Sequence, residues 1–408
     1  MLVENVTMLG HKDHGKSTLI GSILMLTNSV SNTRIEEAKK YSEKLGKPFE
    51  PAFILDSLEE EREGGLTIDS TRAEAKYKDL AFEFIDVPGH EELIKNMMSG
   101  ASFAETAILL VSAKPGEGIR KQTKRHVFVA KMLGIENLIV AVNKMDTVNY
   151  DENIYNKIAE SIGRFLSNIK FDGEVRYVPI SAYKGENIAR RSASMKWYKG
   201  MPLLEELYRM IKGAGKSDKN RFNKLRAVVQ GFIEDNNEKL ISAKVLSGNI
   251  EKGKIMFFPG NIERYAKKII LKGRVVAKAG EGSSVAIEVD KEIKNPRGLV
   301  VAKKGEEPIV ANKLNALIFT TAKLTPNSKM VLKILGNEIK CNKLNIKEHI
   351  DTTTGTLSKK GLIESLNAGI LELELESDIA FERYDVLKSM GRFSFYIENK
   401  FGGVGIIE

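Results

Sequence analysis

Cysteine and long apolar runs are the most conspicuous absences from this chain of 408 residues. Its single cysteine, Cys341, excludes both a disulfide framework and a cluster of thiolate metal ligands. No apolar run approaches the length of about 20 residues that a membrane span needs. The first residues also lack the basic and then apolar pattern of a secretory signal. We therefore expect a reduced, soluble, cytoplasmic protein with no membrane partner.

An excess of negative charge is also missing, because the formal net charge is +9. Residues 1–215 hold 30 Lys and Arg against 30 Asp and Glu, whereas residues 216–408 hold 33 against 24. A basic surface of this kind attracts polyanions such as RNA, or an acidic protein. A solvated, lysine-rich surface without a ligand fits equally well, because no dense stripe of Lys and Arg occurs. We expect no DNA partner.

The first half of the chain alternates short apolar segments with longer helical patterns. The pattern predicts strands at 5–8, 82–86, 107–111, 138–142 and 177–180, and helices at 16–26, 91–100, 121–133, 152–168 and 203–211. This alternation indicates an α/β domain with a mostly parallel sheet and helices on both faces. In such sheets, ligands bind beyond the carboxyl ends of the strands.

The second half has a different character, because helical patterns almost vanish after residue 223. Residues 214–223 are polar and aperiodic, which predicts a linker. The strands predicted after it are 225–232, 240–245, 254–258, 283–289, 314–319, 330–334, 370–375 and 393–397. Short alternating strands with glycine breaks are typical of two antiparallel β-barrels. The predicted domains are therefore 1–215, 216–307 and 308–408.

A glycine-rich loop follows the first predicted strand. Residues 10–17 read Gly-His-Lys-Asp-His-Gly-Lys-Ser and match the phosphate-binding pattern G-x-x-x-x-G-K-[ST]. Successive backbone N–H groups and the start of the next helix can hold an anion there. Lys16 would supply charge to the β- and γ-phosphates, and the Ser17 hydroxyl would bind Mg²⁺. The loop predicts a nucleoside triphosphate with magnesium.

A second motif identifies the base. Residues 143–146 read Asn-Lys-Met-Asp, and the Asp146 carboxylate can accept hydrogen bonds from N1–H and the exocyclic amine of guanine. Adenine would leave this acceptor unpaired, which discriminates strongly against it. Asn143 would brace the loop, the stem of Lys144 would cover the ring, and residues 181–183 would offer a backbone donor to guanine O6. The order and spacing of the two motifs predict GTP.

Two further segments would complete the site around the γ-phosphate. Residues 86–89 read Asp-Val-Pro-Gly, so Asp86 can hold the metal ion through water and the N–H of Gly89 can reach the γ-phosphate. In the acidic and then glycine-rich segment 55–69, Thr67 would give its hydroxyl to Mg²⁺ and its N–H to the phosphate. Those contacts would exist only while GTP is bound, which predicts a switch.

Taken together, the segments 10–18, 61–69, 86–90, 143–146 and 181–187 resemble the translation-factor class of GTPases. Members of that class have a G domain followed by two β-barrels. The sequence is most similar to the large GTPase subunit of sulfate adenylyltransferase, with elongation factor 1-alpha next. Segments favouring the first are 133–146, 177–187, 194–200, 366–370, 381–385 and the short stretch 116–122; those favouring the second are the loop at 10–17 and residues 45–47.

The resemblance implies an enzyme that hydrolyses GTP as a conformational switch. His90 corresponds to the family histidine that positions the attacking water, and Lys16 and Thr67 are the other catalytic residues it implies. In the favoured interpretation the partner is a small adenylyl-transferring subunit that makes adenylyl sulfate from ATP and sulfate. In the alternative, the chain carries aminoacyl-tRNA or another RNA to the ribosome.

Lys12 departs from the family pattern, which has an apolar residue in a gate between the histidine and the nucleotide. A cation there predicts altered intrinsic hydrolysis, either by stabilising transition-state charge or by repelling protonated His90. The predicted nucleotide-binding residues are His11, Lys12, Asp13, His14, Gly15, Lys16, Ser17, Thr18, Gly89, Asn143, Lys144, Asp146, Ser181, Ala182 and Tyr183. The predicted metal ligands are Ser17, Thr67 and Asp86.

Overall fold

The computed structural model describes residues 2–44, 46–55, 71–86, 105–214, 222–235 and 238–408. The chain divides into two compact units. The first comprises Met1–Ser217 together with Asp351–Thr356, and the second comprises Asp218–Ile350 and Leu357–Glu408. No helix within the described ranges is long and apolar enough to span a membrane.

A six-stranded sheet with helices forms the first unit. In chain order its elements are β1 (Leu2–Gly10), α1 (Lys16–Leu26), α2 (Asn32–Lys44), β2 (Thr71–Tyr77), β3 (Leu80–Asp86), β4 (Thr106–Ser112), α3 (Lys121–Met132), β5 (Asn137–Asn143), α4 (Glu152–Asn168), β6 (Glu174–Pro179) and α5 (Leu203–Ala214). The strand order is β2-β3-β1-β4-β5-β6, and only the pairing of β2 with β3 is antiparallel.

The position of each strand follows from its composition. All seven residues of β4 and of β5 are buried, as expected for central parallel strands covered on both faces. The edge strand β2 instead carries Arg72, Glu74 and Lys76 between its alanines. Strands β1, β4 and β5 are parallel, so their carboxyl ends at Gly10, Ser112 and Asn143 lie along one edge of the sheet.

The predicted elements of the first half agree closely with this structure. Helices 16–26 and 152–168 have the predicted bounds, and the five predicted strands lie within or within one residue of β1, β3, β4, β5 and β6. The predicted helix 91–100 and most of the predicted linker lie outside the described residues. The sequence patterns missed α2, which buries only Ala38 and Ser42, and the charged edge strand β2.

Two closed antiparallel barrels form the second unit. The strands of the first barrel are β7 (Arg226–Asp235), β8 (Glu238–Ser247), β9 (Asn249–Glu251), β10 (Gly253–Phe258), β11 (Ile262–Leu271), β12 (Arg274–Val276), β13 (Lys278–Gly280), β14 (Ser284–Val289) and β15 (Val300–Ala302). Six of them close the ring β10-β15-β7-β8-β14-β11, because β10 also pairs with β11. A separate apolar core that includes Phe257, Ile269 and Ile287 fills this barrel.

The second barrel is built from longer strands. They are β16 (Ile309–Thr320), β17 (Met330–Ile334), β18 (Asn337–Ile350), β19 (Leu357–Ser358), β20 (Asn367–Phe381), β21 (Arg392–Ile397) and β22 (Lys400–Ile407). The ring β17-β21-β22-β16-β20-β18 closes through the pairing of β17 with β18. The predicted fold class is therefore confirmed. The predicted boundary at residues 307–308 falls between β15 and β16, and the three domain ranges stay predictions.

Candidate nucleotide-binding site

The phosphate loop lies between the end of β1 and the first turn of α1, where two glycines allow its path. Gly10 has φ +135°, and a Cβ added there would lie 2.6 Å from the carbonyl oxygen of Leu110 in β4. Gly15 has φ +86°, and an added Cβ would lie 2.7 Å from Nδ2 of Asn143. Residues with a side chain rarely adopt such φ values, and a side chain at either position would also clash with its neighbour. Glycine is therefore required at both positions.

His14 anchors this loop to the neighbouring strand β4. The side chain is fully buried, and its Nδ1 lies 2.9 Å from the Leu110 carbonyl oxygen, which can only accept a hydrogen bond. Burial is the main cause that lowers the pKa of His14 below 6.5, so the neutral ring is favoured. His14 therefore fixes the loop to β4 and does not present a cation to a nucleotide.

The outer part of the loop is exposed. Asp13 donates its backbone N–H to Nδ1 of His11 at 3.3 Å, and the rings of His11 and His14 have centroids 5.5 Å apart. The side chains of Lys12 and Asp13 are exposed. Lys12 is thus placed on the outside of the loop, where its flexible side chain has room to move.

The base of α1 brings together the groups that a magnesium ion and a phosphate chain need. Nζ of Lys16 lies 3.7 Å from Oδ1 of Asp86 at the end of β3, and both side chains are largely buried. Ser17 follows directly, and its hydroxyl and the Asp86 carboxylate are hard oxygen ligands of the kind that Mg²⁺ prefers. This donor set fits the ion. Thr18, the next residue, is half-buried.

Asn143 links the phosphate loop to the loop that follows β6. Its Nδ2 donates to the carbonyl oxygen of His14 at 2.8 Å, and its Oδ1 accepts from the N–H of Ala182 at 2.9 Å. The side chain is 1 % exposed, so neither bond competes with water. Asn143 therefore holds the phosphate loop next to the segment predicted to face guanine O6, and its part in nucleotide binding stays a prediction.

A hydrogen bond from Ser181 positions the carboxylate of Asp146, which is predicted to read guanine. Ser181 Oγ donates to Oδ1 of Asp146 at 2.5 Å and accepts from the N–H of Lys184 at 3.2 Å. Ser181 is buried, whereas Tyr183 is 44 % exposed. The structure thus brings Asn143, Asp146, Ser181 and Ala182 together, and leaves the Tyr183 side chain at the surface.

Lys144 has a partner that the sequence did not reveal. Its Nζ lies 2.7 Å from Oε2 of Glu117, and Ser112 contributes a further hydrogen bond to the same carboxylate. Partial burial raises the pKa of Glu117, but the bonds to Lys144 and Ser112 outweigh that effect and lower it to about 2. Glu117 is therefore ionised at neutral pH. No local pattern signals this contact, since Glu117 and Lys144 lie 27 residues apart in sequence.

Three predicted residues lie outside the described ranges: Thr67, Gly89 and His90. Within the described ranges, no group of three His, Cys, Asp or Glu side chains could hold a metal ion. In phosphate-loop proteins, oxygens of the protein and of the nucleotide phosphates together bind the magnesium ion.

Comparisons with known proteins agree with this geometry. Residues 1–214 match the family described as "Elongation factor Tu GTP binding domain", and residues 313–408 match "GTP-eEF1A C-terminal domain-like". Elongation factor 1-alpha of Saccharolobus solfataricus is 35 % identical over 99 % of this chain and 96 % of its own length. The factor of the same name from Natronomonas pharaonis is 32 % identical over 96 % of this chain and 94 % of its length.

These matches support the resemblance to elongation factor 1-alpha better than the resemblance to sulfate adenylyltransferase, which none of them supports. They also confirm the predicted cofactors, GTP or GDP with Mg²⁺. The chain belongs to the translation-factor class of GTPases, the family of elongation factors Tu and 1-alpha.

Proposed function

We propose that this protein works as an elongation factor of the 1-alpha type, which binds aminoacyl-tRNA in its GTP form and releases it after hydrolysis. The observation that carries the proposal is the 35 % identity with an elongation factor 1-alpha over 99 % of the chain. The basic excess in residues 216–408 supports it, because a polyanionic RNA is attracted to such a surface.

In the proposed mechanism the phosphate loop and α1 hold the triphosphate. The N–H groups of Asp13 and His14 donate within the loop, to His11, so the backbone N–H groups at the start of α1 would face the phosphates. Lys16 would add a positive charge at the β–γ bridge. Ser17 would hold Mg²⁺ directly and Asp86 would hold it through water, and Thr67 would join them only in the GTP form. When bound, the ion neutralises charge that develops on the phosphate oxygens.

Hydrolysis needs a positioned water molecule. We assign that role to His90, with the N–H of Gly89 at the γ-phosphate, on the strength of the family resemblance. Lys12 is proposed to change the intrinsic rate of hydrolysis, because it places an exposed cation on the phosphate loop. A single-turnover GTPase rate that is equal in wild type and Lys12→Val would contradict the role of Lys12 and leave that of His90 standing.

Base selection is proposed to rest on Asp146. Its carboxylate accepts from N1–H and the 2-amino group of guanine, while Asn143 and Ala182 hold the loops together.

The three ranges 1–215, 216–307 and 308–408 are proposed as the G domain and the two barrel domains.

Calorimetry with GDP, GTP and ATP tests the nucleotide site. We expect binding of the guanine nucleotides and no measurable binding of ATP. In Asp146→Asn the amide N–H would face the 2-amino group of guanine, but it would pair with the 2-oxo group of xanthine, so this variant should prefer XTP. Equal affinity of the wild type for ATP and GTP would refute the site.

Protection of an aminoacyl ester from hydrolysis tests the translation role. The GTP form should slow the deacylation of aminoacyl-tRNA, and the GDP form, the matched control, should not. If neither form protects the ester and GTP turnover instead requires ATP, sulfate and an adenylyl-transferring subunit, the sulfate adenylyltransferase interpretation replaces this proposal.

A further inference from the structure

The guanine-reading loop, residues 144–150, has a backbone conformation that contacts from elsewhere in the chain must stabilise. Lys144, Asn149 and Tyr150 have φ values of +64°, +52° and +57°, so three residues other than glycine adopt the left-handed conformation within seven positions. Asparagine tolerates this conformation, but lysine and tyrosine do so at a cost. Such a path persists only where the surrounding structure fixes it.

The support comes from a segment some 50 residues further along the chain. Nε1 of Trp197 donates to the carbonyl oxygen of Tyr150 at 2.9 Å, and the Tyr150 hydroxyl donates to Oε1 of Glu186 at 3.3 Å. Ser192 and Ser194 also donate their hydroxyl groups to the Glu186 carboxylate. Segment 192–197 therefore contacts the guanine-reading loop and the loop after β6 together.

Glu186 connects these contacts to Asp146, whose carboxylate is proposed to read guanine. Its backbone pairs with that of Ser181 in both directions, at 3.0 and 3.2 Å. Ser181 in turn donates its hydroxyl to Asp146. Hydrogen bonds thus link each residue to the next, from Trp197 through Tyr150, Glu186 and Ser181 to the Asp146 carboxylate that is proposed to read the base.

We infer that Tyr150, Glu186 and Trp197 form a guanine brace, a set of positioning residues that fixes the orientation of Asp146 and thereby sets base specificity. This inference rests on the proposed role of Asp146. Two hydrogen bonds to one base edge require a fixed carboxylate, so loosening the brace weakens the recognition of the 2-amino group more than it weakens binding as a whole.

Inosine diphosphate is the probe, because it keeps N1–H and O6 of guanine and lacks the 2-amino group. The quantity measured is the ratio of the dissociation constants of IDP and GDP. Trp197→Phe keeps an aromatic ring but loses the N–H donor, and Tyr150→Phe loses only the hydroxyl group. In both variants we expect this ratio to fall about fivefold, the effect of about one hydrogen bond.

Tyr155→Phe is the matched control. Its ring lies 5.2 Å from that of Trp197 in the same cluster, but its hydroxyl donates to the Tyr177 carbonyl oxygen, away from the guanine loops. This variant should keep the wild-type ratio.

Because Trp197 is the only tryptophan in the chain, its fluorescence should also change when GDP binds to the wild type.

The inference is overturned if Trp197→Phe and Tyr150→Phe both melt as the wild type does and keep its IDP-to-GDP ratio. It is also overturned if Tyr155→Phe lowers the ratio as much as they do, since packing alone would then explain the effect. If the wild type itself binds ADP as tightly as GDP, the proposed function fails instead, and the two failures are thereby distinguished.

Discussion

At the scale of single residues, the glycine before α1 has two constraints that can be separated. Gly15 has φ +86° and no room for a Cβ beside Asn143, whereas Gly282 has φ +83° and open space around it. Gly15→Ala should lower GTP affinity at least tenfold, or about 1.4 kcal/mol, because Asn143 must move away from the phosphate loop. Calorimetry with GTP measures this loss.

Gly282→Ala is the control for backbone strain alone. It should lower the free energy of unfolding by about 1–2 kcal/mol through its left-handed φ and leave GTP affinity unchanged. Equal GTP affinities of Gly15→Ala and the wild type would contradict the steric argument at Asn143.

His14 should make the stability of the protein depend on pH. Burial lowers the pKa of His14 in the folded protein below the ordinary value of 6.5. Between the folded pKa and pH 6.5, the imidazole is therefore mostly protonated in the unfolded chain and mostly neutral in the folded protein. The free energy of unfolding should therefore fall as the pH drops from 6.5 through the folded pKa. Urea unfolding of wild type and His14→Gln over this range measures it. The variant should show the shallower decline, and parallel curves would refute the assignment.

The sequence predicts the residues of the site better than it predicts what holds them. Motif spacing predicts Lys16, Asn143 and Asp146 as residues of the site, because phosphate and guanine recognition demand those groups in that order. The contacts of Glu117 and Trp197 could not be predicted. Each reaches a loop that lies tens of residues away in sequence, and only the folded sheet brings them together.

At the scale of elements, α4 begins directly after the guanine-reading loop and depends on its cap. Oδ1 of Asp151 accepts from the N–H groups of Asn153 and Ile154 at 2.7 and 3.4 Å. Asp151→Ala should lower the free energy of unfolding by about 1 kcal/mol, because those donors lose their acceptor. Asp151→Ser retains a capping oxygen and should recover most of it in urea unfolding. If both variants are equally unstable, the cap is not the cause.

The strength of the apolar pattern decides which elements the sequence predicts well. α4 has a capping Asp and a strong apolar stripe, and its predicted bounds agree with the structure to the residue. α2 has little apolar surface, and β2 alternates alanine with charged residues, so neither carries the hydrophobic period that prediction depends on. In the barrels, β11 and β18 were missed for a related reason, since lysines occupy many of their outward positions.

At the scale of the whole molecule, the second unit contains two barrels that share an apolar contact. Val228, Phe258 and Val300 of the first barrel pack in one buried cluster with Ala380 and Met390 of the second. This cluster is separate from the cores of the two barrels. It predicts that the two barrels unfold together as one cooperative body.

A buried ion pair crosses the same contact and makes the coupling testable. Arg226, 1 % exposed, donates from Nε to Oε1 of Glu382 at 2.8 Å and from Nη1 to the Leu225 carbonyl oxygen. Glu382→Gln leaves the buried guanidinium without its counter-charge and should cost about 3 kcal/mol. Asp385→Asn, which weakens the exposed pair of Arg383 and Asp385, should cost at most about 0.5 kcal/mol. Calorimetry should then show the barrel transition of Glu382→Gln split in two, and a single unshifted transition would mean that the apolar cluster alone joins the barrels.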